Sequence, residues 1–89
     1  MIRVQLHFQK NLNPKTYSFF QDVDLEIVPS KGDIFNYEVS FFNELSDANK
    51  KKFEEKSFDI GNYYVTSVMN YTEKEGLVDY IVFIAQSIN

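Results

Sequence analysis

The run of residues 77–85 near the C-terminus constrains the fold more than any other part of the chain. Asp79 is its only charged residue, and residues 80–85 are apolar on both faces of an extended strand. A strand can be apolar on both faces only when other parts of the protein cover both of them. The run therefore predicts a central strand around which the rest of the chain folds.

The residues before this run predict its partner in a hairpin. Residues 63–72 are rich in aromatic and β-branched side chains, which suit a pleated strand. The polar loop 73–76 ends in glycine, a residue that hairpin loops commonly use for a positive φ. Strict alternation would place Val65 and Val68 on opposite faces. If both point inward, a β-bulge near residues 66–67 is required, and a bulge would bend the strand.

Three earlier segments, residues 2–9, 22–28 and 34–42, alternate between apolar and polar side chains, as half-buried strands do. Pro29 ends the second of them because it has no N–H to donate to a sheet. Residues 16–21 fit a short strand or an aromatic loop equally well. The side chains predicted to point inward are those of Ile2, Val4, Leu6, Phe8, Val23, Leu25, Ile27, Phe35, Tyr37, Val39 and Phe41.

One short helix is predicted over about residues 46–56, with Ser46 as its N-cap and Asp47 near the positive end of its dipole. Five or six short strands and one short helix in a single domain, residues 1–89, indicate a mainly all-β fold. A small, strongly bent antiparallel sheet or a partly open barrel of the SH3-like or OB-like kind fits this count. The alternative is an α+β layer, with the helix packed across an antiparallel sheet.

The general layout resembles that of small SH3-like barrels. A strand ends at Pro29, a turn follows at Gly32 and Asp33, and a hairpin begins late in the chain at Tyr63. The resemblance concerns architecture, so it implies a barrel of short strands and assigns no site residue.

Composition limits the possible partners and the compartment. The net charge of −4 and the pI near 4.8 argue against a nucleic-acid binder, which usually carries a basic footprint. The absence of cysteine excludes disulfides and thiolate chemistry and fits a reducing compartment. The N-terminal residues lack the apolar stretch of a signal peptide, and no run approaches the ~20 apolar residues of a membrane helix. We therefore expect a cytoplasmic protein without a membrane partner.

Catalytic motifs are absent, so neither catalysis nor a cofactor is expected. The sequence contains no nucleophile elbow and no glycine-rich phosphate loop. His7, the only histidine, shares a polar strand face and is predicted to be a surface residue. Asp22, Asp24 and Glu26 project from one strand face and could bind a hard cation, which makes a metal-dependent enzyme the second alternative. The simpler interpretation is a solvated outer strand face.

The aromatic side chains are the stronger indication of function. Phenylalanine and tyrosine make up 17% of the chain, more than the interior of a small barrel can enclose. Most of them are expected to build the core, but exposed ones mark protein interfaces. The candidates are Tyr17, Phe19 and Phe20, together with Tyr63 and Tyr64. These residues predict a non-enzymatic interaction module that binds another protein or its own copy through aromatics and strand edges.

The first alternative is a binder of single-stranded nucleic acid or of a small ligand. Exposed aromatic rings can stack on bases, and Lys50, Lys51 and Lys52 would supply positive charge. Glu54 and Glu55 dilute that charge, so a solvated helix face is the simpler explanation for these lysines. The acidic balance of the chain also argues against nucleic acid, because neutralised phosphates supply most non-specific affinity.

Overall fold

The structure of the protein, a computed structural model, describes residues 1–11, 19–70 and 78–87. The fold is mainly β, as predicted, and its sheet is strongly curled into a half-barrel. Within the described residues, the elements are β1 (Ile2–Gln9), β2 (Phe19–Leu25), β3 (Ile34–Tyr37), α1 (Val39–Asn43), α2 (Asp47–Glu55), β4 (Gly61–Asn70) and β5 (Tyr80–Ala85).

The five strands form one sheet in the order β2-β1-β5-β4-β3, so β5 lies at its centre as the apolar run predicted. The pairs β1–β2, β4–β5 and β3–β4 are antiparallel. The pair β1–β5 is parallel, which the expected antiparallel sheet did not include. Two antiparallel pairs, β1–β2 and β4–β5, therefore lie side by side in the sheet, with β1 and β5 running in the same direction.

The bulge predicted in the late hairpin is present in β4. The register with β5 shifts between Val65 and Ser67, which leaves Thr66 as the extra residue. Val65 is buried and Val68 packs against the core, so both valines point inward. The Thr66 Oγ1 lies 3.0 Å from the Oε1 of Gln9 and 3.2 Å from the carbonyl oxygen of Phe83. The bulge increases the local bend of the sheet.

Aromatic rings fill the inner face of the sheet. Phe8 is fully buried, and five other aromatic rings lie with their centroids 5.1–5.9 Å from its own. Four of these contacts are edge-to-face, an arrangement that aromatic pairs prefer, and the fifth is tilted. Most of the buried aromatic side chains therefore build one cluster. The surrounding rings are those of Phe19, Tyr37, Phe53, Phe58 and Tyr63.

Two buried tyrosine hydroxyls have hydrogen-bond partners. The Tyr37 hydroxyl donates to the Oε1 of Gln21 at 2.6 Å, and the Gln21 amide donates to the carbonyl oxygen of Phe41 at 2.8 Å. The Tyr63 hydroxyl donates to the carbonyl oxygen of Asp59 at 2.7 Å. Burial raises the pKa of both hydroxyls well above the usual value for tyrosine. The first network connects β2 to α1 and so fixes the position of the helical segment.

The helix predicted over residues 46–56 is confirmed as α2. The backbone N–H of Asn49 donates to the Ser46 Oγ at 3.2 Å, and Asp47 lies in the first turn. Phe53 is the residue of α2 that is buried, and it packs into the aromatic core. The helices of the described residues lack the length and the apolar content that a membrane crossing would require.

The segment predicted as one strand, residues 34–42, contains a strand followed by a short helix. β3 is only four residues long, and α1 begins two positions after it. In an extended strand, Phe41 and Phe42 would point to opposite faces. The helical turn lets both reach the core, where the ring of Phe41 stacks on Phe35 and that of Phe42 packs on Phe53. Packing of two consecutive rings is therefore the physical reason for the difference.

The second predicted strand begins and ends earlier than its alternating pattern suggested. β2 starts at Phe19, so residues 19–21, which fitted a strand or a loop equally well, belong to a strand. β2 ends at Leu25, and the side chain of Ile27 is 79% exposed. The prediction that Ile27 points inward is therefore wrong, because the chain leaves the edge of the sheet before reaching this residue.

Candidate partner-binding site

Phe19 and Tyr63, two of the five aromatic residues predicted to contact a partner, belong to the core. Phe19 is 4% exposed and Tyr63 is 1% exposed. Phe19 pairs with Phe8 across β2 and β1, and Tyr63 pairs with Phe35 across β4 and β3, all on the inner face. Their rings therefore cannot reach a partner while the sheet is folded. Tyr17, a third candidate, lies outside the described residues.

The other two candidates, Phe20 and Tyr64, are 56% and 39% exposed. Both point to the outer face, which we define as the side of the sheet opposite the aromatic core. They lie on β2 and β4, and β1 and β5 separate these strands. Three interstrand spacings amount to about 14 Å. The structure therefore places Phe20 and Tyr64 on one face without bringing them into one cluster.

Phe20 instead belongs to a row of rings that crosses three strands. The ring of His7 on β1 lies between Phe20 on β2 and Phe83 on β5, with centroid distances of 5.4 Å and 4.9 Å. Sequence reasoning missed this row because it depends on the parallel register that pairs His7 with Phe83. The only local signal was the position of Phe83 within the apolar run.

A chain of polar side chains holds His7 in this row. The Nε2 of His7 lies 2.6 Å from the Oε1 of Gln5, and the Gln5 amide donates to the Oδ1 of Asp22 at 3.0 Å. Burial lowers the pKa of His7, and the carboxylate of Asp22 opposes part of this effect. Because an amide oxygen only accepts hydrogen bonds, Nε2 carries the proton. In the neutral ring this nitrogen therefore acts as a donor and not as a base.

The edge of β2 that faces away from β1 borders a groove. Two adjoining cavities, of about 320 and 240 Å³, lie between β2 and the segment that contains the start of α2. Both are lined by Phe20 and Asn49. We call this feature the edge groove, and its described lining residues are Gln5, Phe19, Phe20, Gln21, Asp22, Glu44, Leu45, Ser46, Asn49 and Lys52.

The two ends of the edge groove differ in charge. Asp22 and Glu44 line the larger cavity, and no lysine or arginine is among the described residues that line it. Lys52 lines the smaller cavity beside Phe20. The neighbouring carboxylate of Asp24 is instead bound by Arg3, whose Nε lies 2.8 Å from its Oδ1. The larger cavity therefore combines an exposed aromatic ring with an excess of negative charge.

The three lysines of the nucleic-acid alternative do not form one surface. Successive residues of a helix are about 100° apart around its axis, so Lys50, Lys51 and Lys52 point in different directions. The Nζ of Lys50 lies 5.8 Å from the centroid of the Phe42 ring. Of the three, Lys52 alone is among the residues that line the edge groove.

The carboxylates of the metal alternative are not assembled into a site. Asp22 accepts a hydrogen bond from Gln5, and Asp24 is paired with Arg3. Glu26 follows the end of β2 and does not continue its regular alternation. Within residues 1–11, 19–70 and 78–87, no three histidine, aspartate or glutamate side chains are placed to hold a metal ion. The described residues therefore do not assemble a ligand set, and the metal alternative stays a prediction.

Comparisons of the chain with protein-family models, with curated proteins and with solved structures found no match. The resemblance to SH3-like barrels accordingly stays a prediction. The functional argument below depends on the geometry of the edge groove and of the outer face.

Proposed function

We propose that this protein is a non-enzymatic interaction module that binds another protein at the edge groove, with Phe20 as its main contact. One observation carries the proposal: Phe20 is 56% exposed on an edge strand and lines both cavities of the groove. Aromatic side chains combine a large apolar area with little conformational freedom, which suits them to protein interfaces. The proposed location is the cytoplasm, since a fold without disulfides needs no oxidising compartment.

Charge favours a protein partner over nucleic acid. Phosphate groups would approach the carboxylates of Asp22 and Glu44, which line the groove together with Phe20. Neutralisation of phosphates is the main source of affinity for nucleic acid, and like charges remove it. Lys52 beside Phe20 is the observation that favours the nucleic-acid alternative. One lysine against two carboxylates does not offset their repulsion.

Charge also favours a different chain over a second copy at this edge. Two copies of β2 paired antiparallel about Val23 would place Asp22 of one copy opposite Asp24 of the other. Like charges directly opposite each other across strands are destabilising. We therefore expect light scattering at micromolar concentrations to give the mass of a monomer, and a stable dimer would move the search for self-association to the outer face.

The test of the proposal compares two exposed apolar residues. Peptides are selected from a random library on the immobilised protein, and dissociation constants are measured for Phe20→Ser and for the control Ile27→Ser. Ile27 is 79% exposed and lies outside the groove. Phe20→Ser should weaken binding at least about tenfold, as loss of a central aromatic contact does. Ile27→Ser should leave binding unchanged.

If both variants melt at the temperature of the wild type, their fold is intact. Equal binding by wild type and Phe20→Ser would refute the proposal. Phe19→Ser is unsuitable as a test because Phe19 is buried and its loss should unfold the protein.

A further inference from the structure

We infer that the edge groove accepts an extended basic segment of the partner, which adds to β2 as a further strand and places a lysine or arginine beside Asp22 and Glu44. The inference rests on the proposed function and specifies the chemistry of the partner at the same site. It is supported by the geometry of the strand edge, by the charge of the groove and by the spacing of its side chains.

β2 is the better of the two sheet edges for strand addition. It is the terminal strand on its side, and within residues 1–11, 19–70 and 78–87 no further strand pairs with it. Its seven residues span about 23 Å, whereas β3, at the opposite edge, has four residues and leads almost directly into α1. An edge strand presents backbone N–H and C=O groups that can pair with another chain. β2 contains neither the proline nor the lysine that often protects such edges.

The groove beside this edge gives room for the side chains of an added strand. The two cavities adjoin along the first half of β2, where Phe19, Phe20, Gln21 and Asp22 contribute to their lining. The opposite wall of the groove is the segment from α1 to the start of α2. The Gln21 amide donates to the carbonyl oxygen of Phe41 in α1 and so holds this wall at a set distance from β2. An extended segment that pairs with β2 would therefore lie between the strand edge and this wall.

The charge of the larger cavity selects a basic side chain. Asp22 lies on β2 and Glu44 lies on the opposite wall, and both line the same space. The Oδ1 of Asp22 accepts from Gln5, and a carboxylate has capacity for additional donors. An ammonium or guanidinium group in this cavity would face two carboxylates. Each exposed ion pair is expected to change affinity by up to about fivefold.

The period of the strand predicts the spacing of the partner's residues. Phe20 and Asp22 are two positions apart and both point to the outer face. An added strand has the same two-residue period, so the residue opposite Phe20 lies two positions from the residue opposite Asp22. The partner segment should therefore carry an apolar residue two positions from a lysine or arginine, in either direction of the chain.

The experiment selects peptides from a random library on the wild-type protein and, in parallel, on the double variant Asp22→Asn, Glu44→Gln. The wild type should enrich an apolar residue and a basic residue at a spacing of two, and the double variant should lose the basic preference. The best wild-type peptide should bind the double variant about 2- to 25-fold more weakly. The variant Glu54→Gln, Glu55→Gln removes the same net charge outside the groove and should bind that peptide as the wild type does.

Amide hydrogen exchange measured by NMR tests where the peptide pairs. Bound peptide should slow exchange at alternate amides of β2 and leave β3 unchanged, since only every second N–H of an edge strand faces outward. Protection at β3, peptides without a basic preference, failure to select any peptide, or displacement of the peptide by an oligothymidylate would each overturn the inference. If selected peptides lack basic residues but still need Phe20, only this inference fails. If they bind Phe20→Ser as tightly as wild type, the proposed function fails too.

Discussion

The same substitution should lower stability by different amounts on the inner and on the outer face of the sheet. Phe8 is fully buried on β1, whereas Phe20 is 56% exposed on β2. We predict that Phe8→Ala removes a large part of the free energy of unfolding and that Phe20→Ala removes little. The contrast tests the side-chain alternation that underlies both the core and the candidate site.

The expected magnitude follows from the surroundings of Phe8. Five aromatic rings lie within 5.9 Å of its centroid, so truncation would leave a cavity bounded by rigid rings that cannot easily collapse. Such a change costs about 3–5 kcal/mol in the free energy of unfolding. A chain of 89 residues has a total of about 4–13 kcal/mol at typical values per residue. An exposed site such as Phe20 should lose about 0.5 kcal/mol or less.

Urea unfolding followed by far-UV circular dichroism measures both effects. With an m-value of about 1–1.5 kcal/mol/M, Phe8→Ala should lower the midpoint by about 2–5 M or abolish the folded baseline. Phe20→Ala should shift the midpoint by about 0.5 M or less. A loss below about 1.5 kcal/mol for Phe8→Ala, or equal losses for the two variants, would refute the arrangement of the core described above.

Two further predictions concern local features. Burial lowers the pKa of His7 in the folded protein, whereas a histidine in the unfolded chain has a pKa of about 6.5. The unfolded chain therefore binds the proton more tightly. The free energy of unfolding should be highest above pH 6.5 and should fall as the pH decreases toward the lowered pKa of the folded protein. Urea midpoints measured from pH 5.5 to 7.5 test this, and a His7→Phe variant with an unchanged slope over that range would contradict it. Ser46→Ala removes the side-chain acceptor for the N–H of Asn49 and should lower the free energy of unfolding by about 1 kcal/mol. Ser46→Asp keeps an acceptor at this position and should retain most of that free energy. Equal urea midpoints for Ser46→Ala and wild type would rule out a contribution from the cap.

Local patterns predicted those parts of the fold that depend on neighbouring residues. The apolar run predicted a central strand, and Ser46 marked the start of α2. The bulge followed from the sequence on the condition that Val65 and Val68 both point inward. The parallel pairing of β1 with β5 could not be derived in this way, because nothing in either strand specifies its neighbour across the sheet. The row of rings through His7 and the edge groove depend on that strand order, so they were missed with it.

The division of the aromatic candidates into core and surface was accessible only in part to sequence reasoning. If Val23 points inward, a two-residue period places Phe19 inward and Phe20 outward. Similarly, an inward Val65 places Tyr63 inward, because the bulge lies after Val65 and does not disturb the period before it. The residues before Asp22 fit a strand and an aromatic loop equally well, so the two-residue period could not be extended back to Phe19 and Phe20 with the sequence alone.

The parallel pairing at the centre of the sheet also affects how the protein is made. Arg3 and Asp79, which are hydrogen-bonded at the entrance to this pair, are 76 positions apart in the chain. Contacts over so long a separation close a large loop, and topologies rich in them fold slowly. On the ribosome, β1 and β2 emerge well before β5, and until then the side of β1 that β5 will occupy has no partner strand. The completed sheet therefore forms only after β5 has been made, and the newly made chain is exposed to aggregation and proteolysis during this interval.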